Sequence, residues 1–251
     1  MLTEERYATI LHILDEKKAV SVLDLTKILN ASESTVRRDL TTLHKDGRLC
    51  KVYGGATALD NAYTTKEEDM QTRSDLHRQE KRIIGRRAAR LVSPKDFIYL
   101  DAGSTTLAMI DFIDSSIHAA FVTNGIIHAA RLAERGMKVF ILGGAVKPVT
   151  EAVIGTEALN SLKAYNFTKG FFGTNGISMK SGYSTPDSGE AVIKGSALSR
   201  CTQAFVLADS SKFSRISPIS FADLSDAAII TDCLPDKKYR NHTTILEGES
   251  N

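Results

Sequence analysis

Apolar positions recur at three- and four-residue spacing through the N-terminal part of the chain, which predicts short amphipathic helices. Tyr7, Ile10, Leu11 and Leu14 form one stripe, Leu25, Ile28 and Leu29 a second, and Val36, Leu40 and Leu43 a third. Ser21 and Ser32 stand where the second and third helices need N-caps, because a side-chain oxygen there satisfies an otherwise unpaired backbone N–H. A turn is expected through Lys17, Lys18 and Ala19, a break at Asn30 and Ala31, and an end to the third helix at Gly47. The period then shortens to two. Arg48 to Val52 alternates as a strand, Tyr53, Gly54 and Gly55 permit a tight turn, and Ala56 to Leu59 returns as the second strand of a hairpin.

From Asp60 to Gln79 the chain is polar with few apolar anchors, which suits a solvated linker. A helix is expected from about Leu76 to Leu91, with Ile83, Ile84, Ala88 and Leu91 inward and Arg82, Arg86, Arg87 and Arg90 on a solvated face. After Pro94, short apolar runs alternate with helical ones, the pattern of strand, crossover helix and parallel strand. Strands are predicted over 97–100, 119–122, 138–142, 170–172, 204–207 and 227–230, and helices over 105–113, 126–135, 156–164 and 190–200. The predicted fold class is α/β: a winged helix-turn-helix over residues 1–59, a linker over 60–79, and a mainly parallel-sheet domain over 80–251.

Composition adds little. The 251 residues are 42% hydrophobic and 25% charged, ordinary for a globular protein of one or two domains. No apolar run reaches about eighteen residues, and Thr3, Glu4, Glu5 and Arg6 do not open a signal peptide, so a cytoplasmic protein without membrane contact is expected. Cys50, Cys201 and Cys233 are far apart, with no CxxC pair and no His at metal-ligand spacing, so all three are expected to be reduced packing residues and no metal site is expected.

Charge matters through its distribution. The net charge is only +2, yet from Ser34 to Val52 five basic residues (Arg37, Arg38, Lys45, Arg48, Lys51) face two acidic ones (Asp39, Asp46), a local charge of +3. The third helix turns Ser34, Thr35, Arg37, Arg38 and Thr41 away from its apolar stripe, toward the major groove if the second and third helices dock as a helix-turn-helix. Arginine can grip guanine O6 and N7 together, and Ser and Thr hydroxyls reach bases or phosphates. Arg37 and Arg38 diverge by roughly a hundred degrees around the helix, so one suits a base and the other the backbone. Arg48 and Lys51 lie at the hairpin, where a wing straddles phosphate or minor groove. The competing structural reading is a three-helix bundle whose paired arginines merely solvate its surface.

The residues themselves go further. Glu5-Arg6, Ser21 to Leu29, the run from Ser32 through Thr35-Val36-Arg37-Arg38-Asp39-Leu40, Gly47, and Val52-Tyr53-Gly54-Gly55-Ala56 closely resemble the N-terminal module of DeoR-family transcriptional regulators. Tyr53 stands where that family commonly has histidine, and Lys51 where arginine is frequent. The resemblance implies binding to double-stranded operator DNA, and the candidate contact set is Ser21, Ser32, Ser34, Thr35, Arg37, Arg38, Thr41, Arg48, Lys51 and Tyr53.

A second constellation, Asp101-Ala102-Gly103-Ser104-Thr105-Thr106, follows one predicted strand and opens a helix, so backbone N–H groups and three hydroxyls offer a cradle for a phosphate. A strand-to-helix turn with capping hydroxyls and no ligand has the same pattern. Three further strand-end loops share small and amide-bearing residues: Thr123-Asn124-Gly125, Leu142-Gly143-Gly144 and Gly173-Thr174-Asn175-Gly176. Parallel sheets bind ligands beyond the carboxyl ends of their strands. Lys194 and Lys212 each either add a cation to a phosphate or pair with an acidic neighbour, and Glu190 either accepts sugar hydroxyls or caps the following helix. The candidate effector set is Asp101, Gly103, Ser104, Thr105, Thr106, Thr123, Asn124, Gly143, Gly144, Gly173, Asn175, Glu190, Lys194, Asp209 and Lys212.

In this order these motifs resemble the DeoR-family effector domain, of the sugar-phosphate isomerase-like fold group. The runs 97–103, 121–126, 165–177 and 206–213 look like the fructose-operon repressors of that family. This implies a transcriptional repressor of a sugar-utilisation operon, acting as a homodimer or homotetramer, with no cofactor and with fructose 1-phosphate or a related sugar phosphate as effector. The alternative is a sugar-phosphate isomerase-like enzyme, for which Asp101, Glu190 and Asp209 are the acid–base candidates by type. A fused DNA-binding module favours sensing over turnover.

Overall fold

The three N-terminal apolar stripes fold as three helices that bury them against one another. Residues 2–17, 19–46, 48–52, 54–57 and 69–248 are described by the computed structural model, in which the chain divides into one unit over 1–62 and another over 63–251. The first unit comprises α1 (Thr3–Lys17), β1 (Ala19–Ser21), α2 (Val22–Leu29), α3 (Glu33–Lys45), β2 (Cys50–Val52) and β3 (Gly55–Thr57). Ile10, Leu14, Leu25, Leu29, Val36, Leu40 and Leu43 make its core. Asn30 ends α2 in the left-handed region (φ 47°), which Asn tolerates better than most residues.

The expected hairpin forms, but as part of a three-stranded antiparallel sheet in the order β1-β3-β2, with β1 running from Ala19, the end of the expected turn, to the capping Ser21. The two glycines divide the work: Gly54 supplies a positive φ of 83°, while a Cβ on Gly55 would lie 3.1 Å from Ser21 Cα and closer still to the Val20 carbonyl.

The second unit opens with α4 (Met70–Asp75) and α5 (Arg78–Ala89), then β4 (Phe97–Leu100), α6 (Ser104–Ile110), β5 (Ala120–Thr123), α7 (Ile126–Glu134) and β6 (Lys138–Ile141). There follow β7 (Ala145–Lys147), β8 (Ala152–Ile154), α8 (Thr156–Leu162), β9 (Phe167–Gly173), β10 (Gly176–Ser178), β11 (Gly182–Thr185) and α9 (Ser188–Leu198). The last elements are β12 (Cys201–Leu207), β13 (Ile219–Ala222), β14 (Ala228–Thr231) and β15 (Ile245–Glu247). Seven strands form one parallel sheet in the order β15-β14-β12-β9-β4-β5-β6. All six predicted strands lie in it. The seventh, β15, and the short strands β7, β8, β10, β11 and β13 were not legible as patterns.

Both sheet faces are covered, as an all-parallel sheet requires. Tyr99, Phe172, Val206 and Ile229 pack on one face, and their chain neighbours Ile98, Leu100, Phe171, Phe205 and Ile230 on the other. The sequence runs β4, β5, β6 toward one edge and β9, β12, β14, β15 toward the other. The winding therefore reverses between β4 and β9, and there the loops following the two strands part to leave a crevice.

Three expectations are corrected. The stretch 69–79 is not linker, because Met70 is buried in the core of the second unit and Asp69 caps α4 by accepting the Thr72 N–H at 2.8 Å. The helix expected from about Leu76 to Leu91 forms as α5, and His77 in a left-handed conformation (φ 52°) separates it from α4. The arginine face of α5 is not wholly solvated either, since Arg86 and Arg87 are half-buried and Arg82 and Arg86 both stack on the Phe112 ring, 5.2 and 5.3 Å from its centroid. Finally, the cysteines are unpaired, but Cys50 and Cys233 are exposed, and only Cys201 is partly packed. Among the described residues no helix is long and apolar enough to cross a membrane.

Candidate functional site

The third helix presents a cationic face over an anchored base. Ser32 Oγ accepts the Thr35 N–H at 3.3 Å and lies 3.0 Å from Ser34 Oγ, while Ser21 Oγ accepts the Asp24 N–H at 3.0 Å and donates to Asp24 Oδ2. Both serines therefore act first as caps. Arg37 is braced against Glu33 one turn back, with Nε donating at 3.0 Å. Arg38 is exposed and points elsewhere on the helix. Thr41 Oγ1 donates to the Arg37 carbonyl and accepts from Lys51 Nζ, each at 2.7 Å, which stitches the wing to the helix. Arg48 is exposed, and Tyr53 lies outside the described residues.

One residue of this module escaped the sequence reading. Asp39 shares the buried face of α3 with Val36, Leu40 and Leu43, and Arg6 of α1 grips it with two hydrogen bonds. A carboxylate on an apolar stripe needs a partner, and that was the available signal.

The second site lies in the crevice between β4 and β9. A cleft of about 130 Å³ is lined by Gly103, Ser104 and Thr105 after β4, Gly173 and Thr174 after β9, Ser211, Lys212 and Arg215 after β12, and Arg73, His77 and Lys81 from α4 and α5. Five of the predicted effector residues (Gly103, Ser104, Thr105, Gly173, Lys212) meet here. Hydroxyls and cations dominate its wall, a surface suited to a phosphorylated, hydroxyl-rich small molecule.

Most of the remaining candidates hold the loops instead of lining the cleft. Thr106 Oγ1 turns inward and donates to the carbonyls of Asp101 at 2.6 Å and Gly103 at 2.8 Å. Thr123 Oγ1 accepts the Gly125 N–H, and Asn124 Oδ1 accepts from Ala102 N–H at 2.9 Å and from the Tyr99 hydroxyl at 3.1 Å. Asn175 Oδ1 accepts the Thr185 hydroxyl. Gly143 and Gly144 follow the edge strand β6 and do not line the cleft.

Glu190 neither lines the cleft nor caps α9. Asp187 is the cap, accepting the Glu190 N–H at 2.8 Å, while the Glu190 carboxylate is buried against Thr150 Oγ1 at 2.6 Å and Lys147 Nζ at 3.3 Å. Lys194 is likewise committed: it forms a buried ion pair with Asp101 and donates to the Gly173 carbonyl. Asp101 Oδ2 also accepts the Gly173 N–H at 2.9 Å, so this pair clamps the ends of β4 and β9 together under the cleft. Burial pushes the Asp101 carboxyl above the usual range, against the pull of Lys194 and the Gly173 N–H.

Asp209 is buried and caps the single 3₁₀ turn Ser210–Lys212 by accepting the Ser211 N–H at 3.0 Å. Its Oδ2 is buried with no protein hydrogen bond. Burial opposes its charge, but Lys212, the Ser211 hydroxyl, His77 and Lys81 together hold the carboxyl below the usual range. Arg73, His77, Lys81 and Arg215 were not foreseen, whereas Thr174 lies in a loop the sequence singled out. The first three fall in or beside the stretch read as linker, and no local pattern distinguishes a cation that folds back over a sheet from one in solvent.

A recognition helix braced by its neighbours and a cationic crevice at a sheet switch point define a DNA-binding regulator with a sensor domain. Residues 6–62 match the DeoR-like helix-turn-helix domain and residues 76–233 the DeoR C terminal sensor domain. The chain belongs to the DeoR family of transcriptional regulators. It is 42% identical, over 96% of each chain, to the uncharacterized HTH-type transcriptional regulator FruR of Bacillus subtilis. Identity to the lactose phosphotransferase system repressor of Streptococcus mutans is 31%, over 98% of this chain and 99% of the other. A solved ribose 5-phosphate isomerase from Methanocaldococcus jannaschii aligns with 53% of this chain and 53% of its own at a TM-score of 0.40 and 14% identity, too distant to bear on function.

Proposed function

We propose that the protein represses a sugar-utilisation operon, that of fructose, and that fructose 1-phosphate or a closely related sugar phosphate bound in the cleft controls its grip on the operator. The cleft carries this reading. Arg73, Lys81, Lys212 and Arg215 line it together with the Gly103-Ser104-Thr105 loop. Such a wall suits a phosphate, and the buried Asp209 Oδ2 suits a sugar hydroxyl beside it. The fructose assignment rests on the resemblance of the strand-end motifs to fructose-operon repressors. Of the three acid–base candidates for isomerase chemistry, Asp101, Glu190 and Asp209, the first two are tied to Lys194 and to Thr150 and Lys147, which leaves Asp209 without a carboxylate partner for catalysis and favours sensing.

On the DNA side, Arg38 reads a base and Arg37, braced by Glu33, holds backbone, with Ser34, Thr35, Thr41, Arg48 and Lys51 adding phosphate contacts. A homodimer or homotetramer would present two such helices to half-sites about one DNA turn apart, or a multiple of it. α4 lines the cleft through Arg73, and Lys81 Nζ donates to the Arg73 carbonyl and to that of Leu76 just after α4. Calorimetric titration of the full chain with fructose 1-phosphate, fructose 6-phosphate, glucose 6-phosphate and fructose tests the ligand. Tight binding of fructose 1-phosphate, lost on Arg215→Ala, is expected. Equal binding of unphosphorylated fructose would remove the phosphate from the account.

A further inference from the structure

Directly beneath the cleft sits a buried side chain that neither constellation uses. His128 of α7 is 1% exposed, and its Nε2 stands 3.0 Å from the Gly103 carbonyl oxygen, 3.3 Å from Gly103 N and 3.1 Å from Thr106 Oγ1. Gly103 is extended (φ −163°, ψ 153°), a conformation in which a residue's own N–H and C=O face the same way, so Nε2 stands against both and bonds one of them in either neutral tautomer, accepting from the N–H or donating to the carbonyl. Burial lowers the His128 pKa to about 4, so the ring is uncharged at neutral pH. It fits only because residue 125 is glycine: a Cβ there would stand 2.9 Å from His128 Cγ and closer still to Nδ1.

The loop needs such a clamp. Glycine has the widest backbone freedom of any residue, and Gly103 is the point where the chain turns from β4 into the wall of the cleft. Asn124 holds Ala102, and the Asp101–Lys194 pair holds Gly173; Gly103 is held by Thr106 and the Leu107 N–H of its own helix, which donate to its carbonyl, and by His128, which reaches it from α7. Resting on the sugar-phosphate reading above, we propose that His128 is the positioning residue of the anion-binding loop. Its neutral ring locks Gly103 extended, so that Gly103, Ser104 and Thr105 face the ligand in a geometry set before it arrives.

The test uses the full chain with His128→Leu and His128→Gln, the latter placing an amide near the position of Nε2. The Leu variant should keep wild-type operator affinity without ligand but bind fructose 1-phosphate roughly tenfold more weakly, and the Gln variant should recover to within about threefold. In the wild type, the His128 ring ¹⁵N resonances should move on adding fructose 1-phosphate while those of exposed His12 stay in place. If both variants bind fructose 1-phosphate like the wild type, or both lose it equally, His128 does not position the loop. Should the Leu variant fail to fold, His128→Asn, whose shorter amide stops short of Gly103, takes its place, and fructose 1-phosphate binding equal to that of the Gln variant overturns the proposal. Wild type that binds none of the sugar phosphates would instead overturn the effector reading, and this inference with it.

Discussion

Arg6 donates to Asp39 through Nε at 2.6 Å and through Nη2 at 3.1 Å, so the first helix of the DNA-binding unit grips the third from behind its cationic face. Asp39 therefore belongs to the frame that aims Arg37 and Arg38 and is not itself a contact to DNA. The paired fork geometry fixes orientation as well as distance.

Asp39→Ala should leave the Arg6 guanidinium without its acceptor and loosen α3 against α1. Thermal melts should show a lower midpoint for the N-terminal unit, and operator affinity should fall although no DNA contact has been removed. An unchanged melt with normal affinity would show that the clamp is dispensable.

Arg38→Ala should cost about 1 to 3 kcal/mol of operator binding and relax preference at one base pair, whereas Lys51→Ala should weaken all sequences alike. Binding to a set of singly substituted operators separates the two. Equal losses on operator and random duplex from both variants would contradict the division between base reading and backbone holding.

Neighbouring threonines should behave in opposite ways. Thr105 lines the cleft, so Thr105→Val should abolish the response to sugar phosphate and leave the melt unchanged. Thr106 is fully buried, and Thr106→Val strands the Asp101 carbonyl, so it should destabilise the second unit by about 1 to 3 kcal/mol. Denaturant unfolding checks both.

The overall architecture was readable in the sequence because the signals that carry it are local. Period-3.6 stripes, Ser caps and the two glycines marked the winged helix-turn-helix, and apolar runs marked six of the seven strands of the parallel sheet. What stayed hidden was non-local. The 69–79 stretch looks like linker because only Met70 anchors α4, and the cations of the cleft come from elements far apart in sequence. Polar strand-end residues such as Thr106, Asn124 and Glu190 look like ligands in a one-dimensional reading, yet folding spends their hydrogen bonds on the loops themselves.

His128 gives the second unit a distinct acid sensitivity. Its pKa falls from 6.5 when unfolded to about 4 when folded, so between these values the unfolded chain binds a proton that the folded one does not. Stability from this group is full above about pH 6.5 and declines as pH falls toward 4, by about 3 kcal/mol in all. Denaturant unfolding of His128→Gln over the same range should lack this component of the slope.

The central claim is that a sugar phosphate in the cleft changes the hold of α3 on DNA. Fluorescence anisotropy of a labelled operator duplex, at one fixed salt concentration with and without saturating fructose 1-phosphate, tests it directly. A shift of roughly 5- to 150-fold in operator affinity, with binding to scrambled duplex unchanged, is the predicted result. Operator affinity that stays the same at every concentration of every sugar phosphate, while the protein still prefers operator to scrambled DNA, would contradict it.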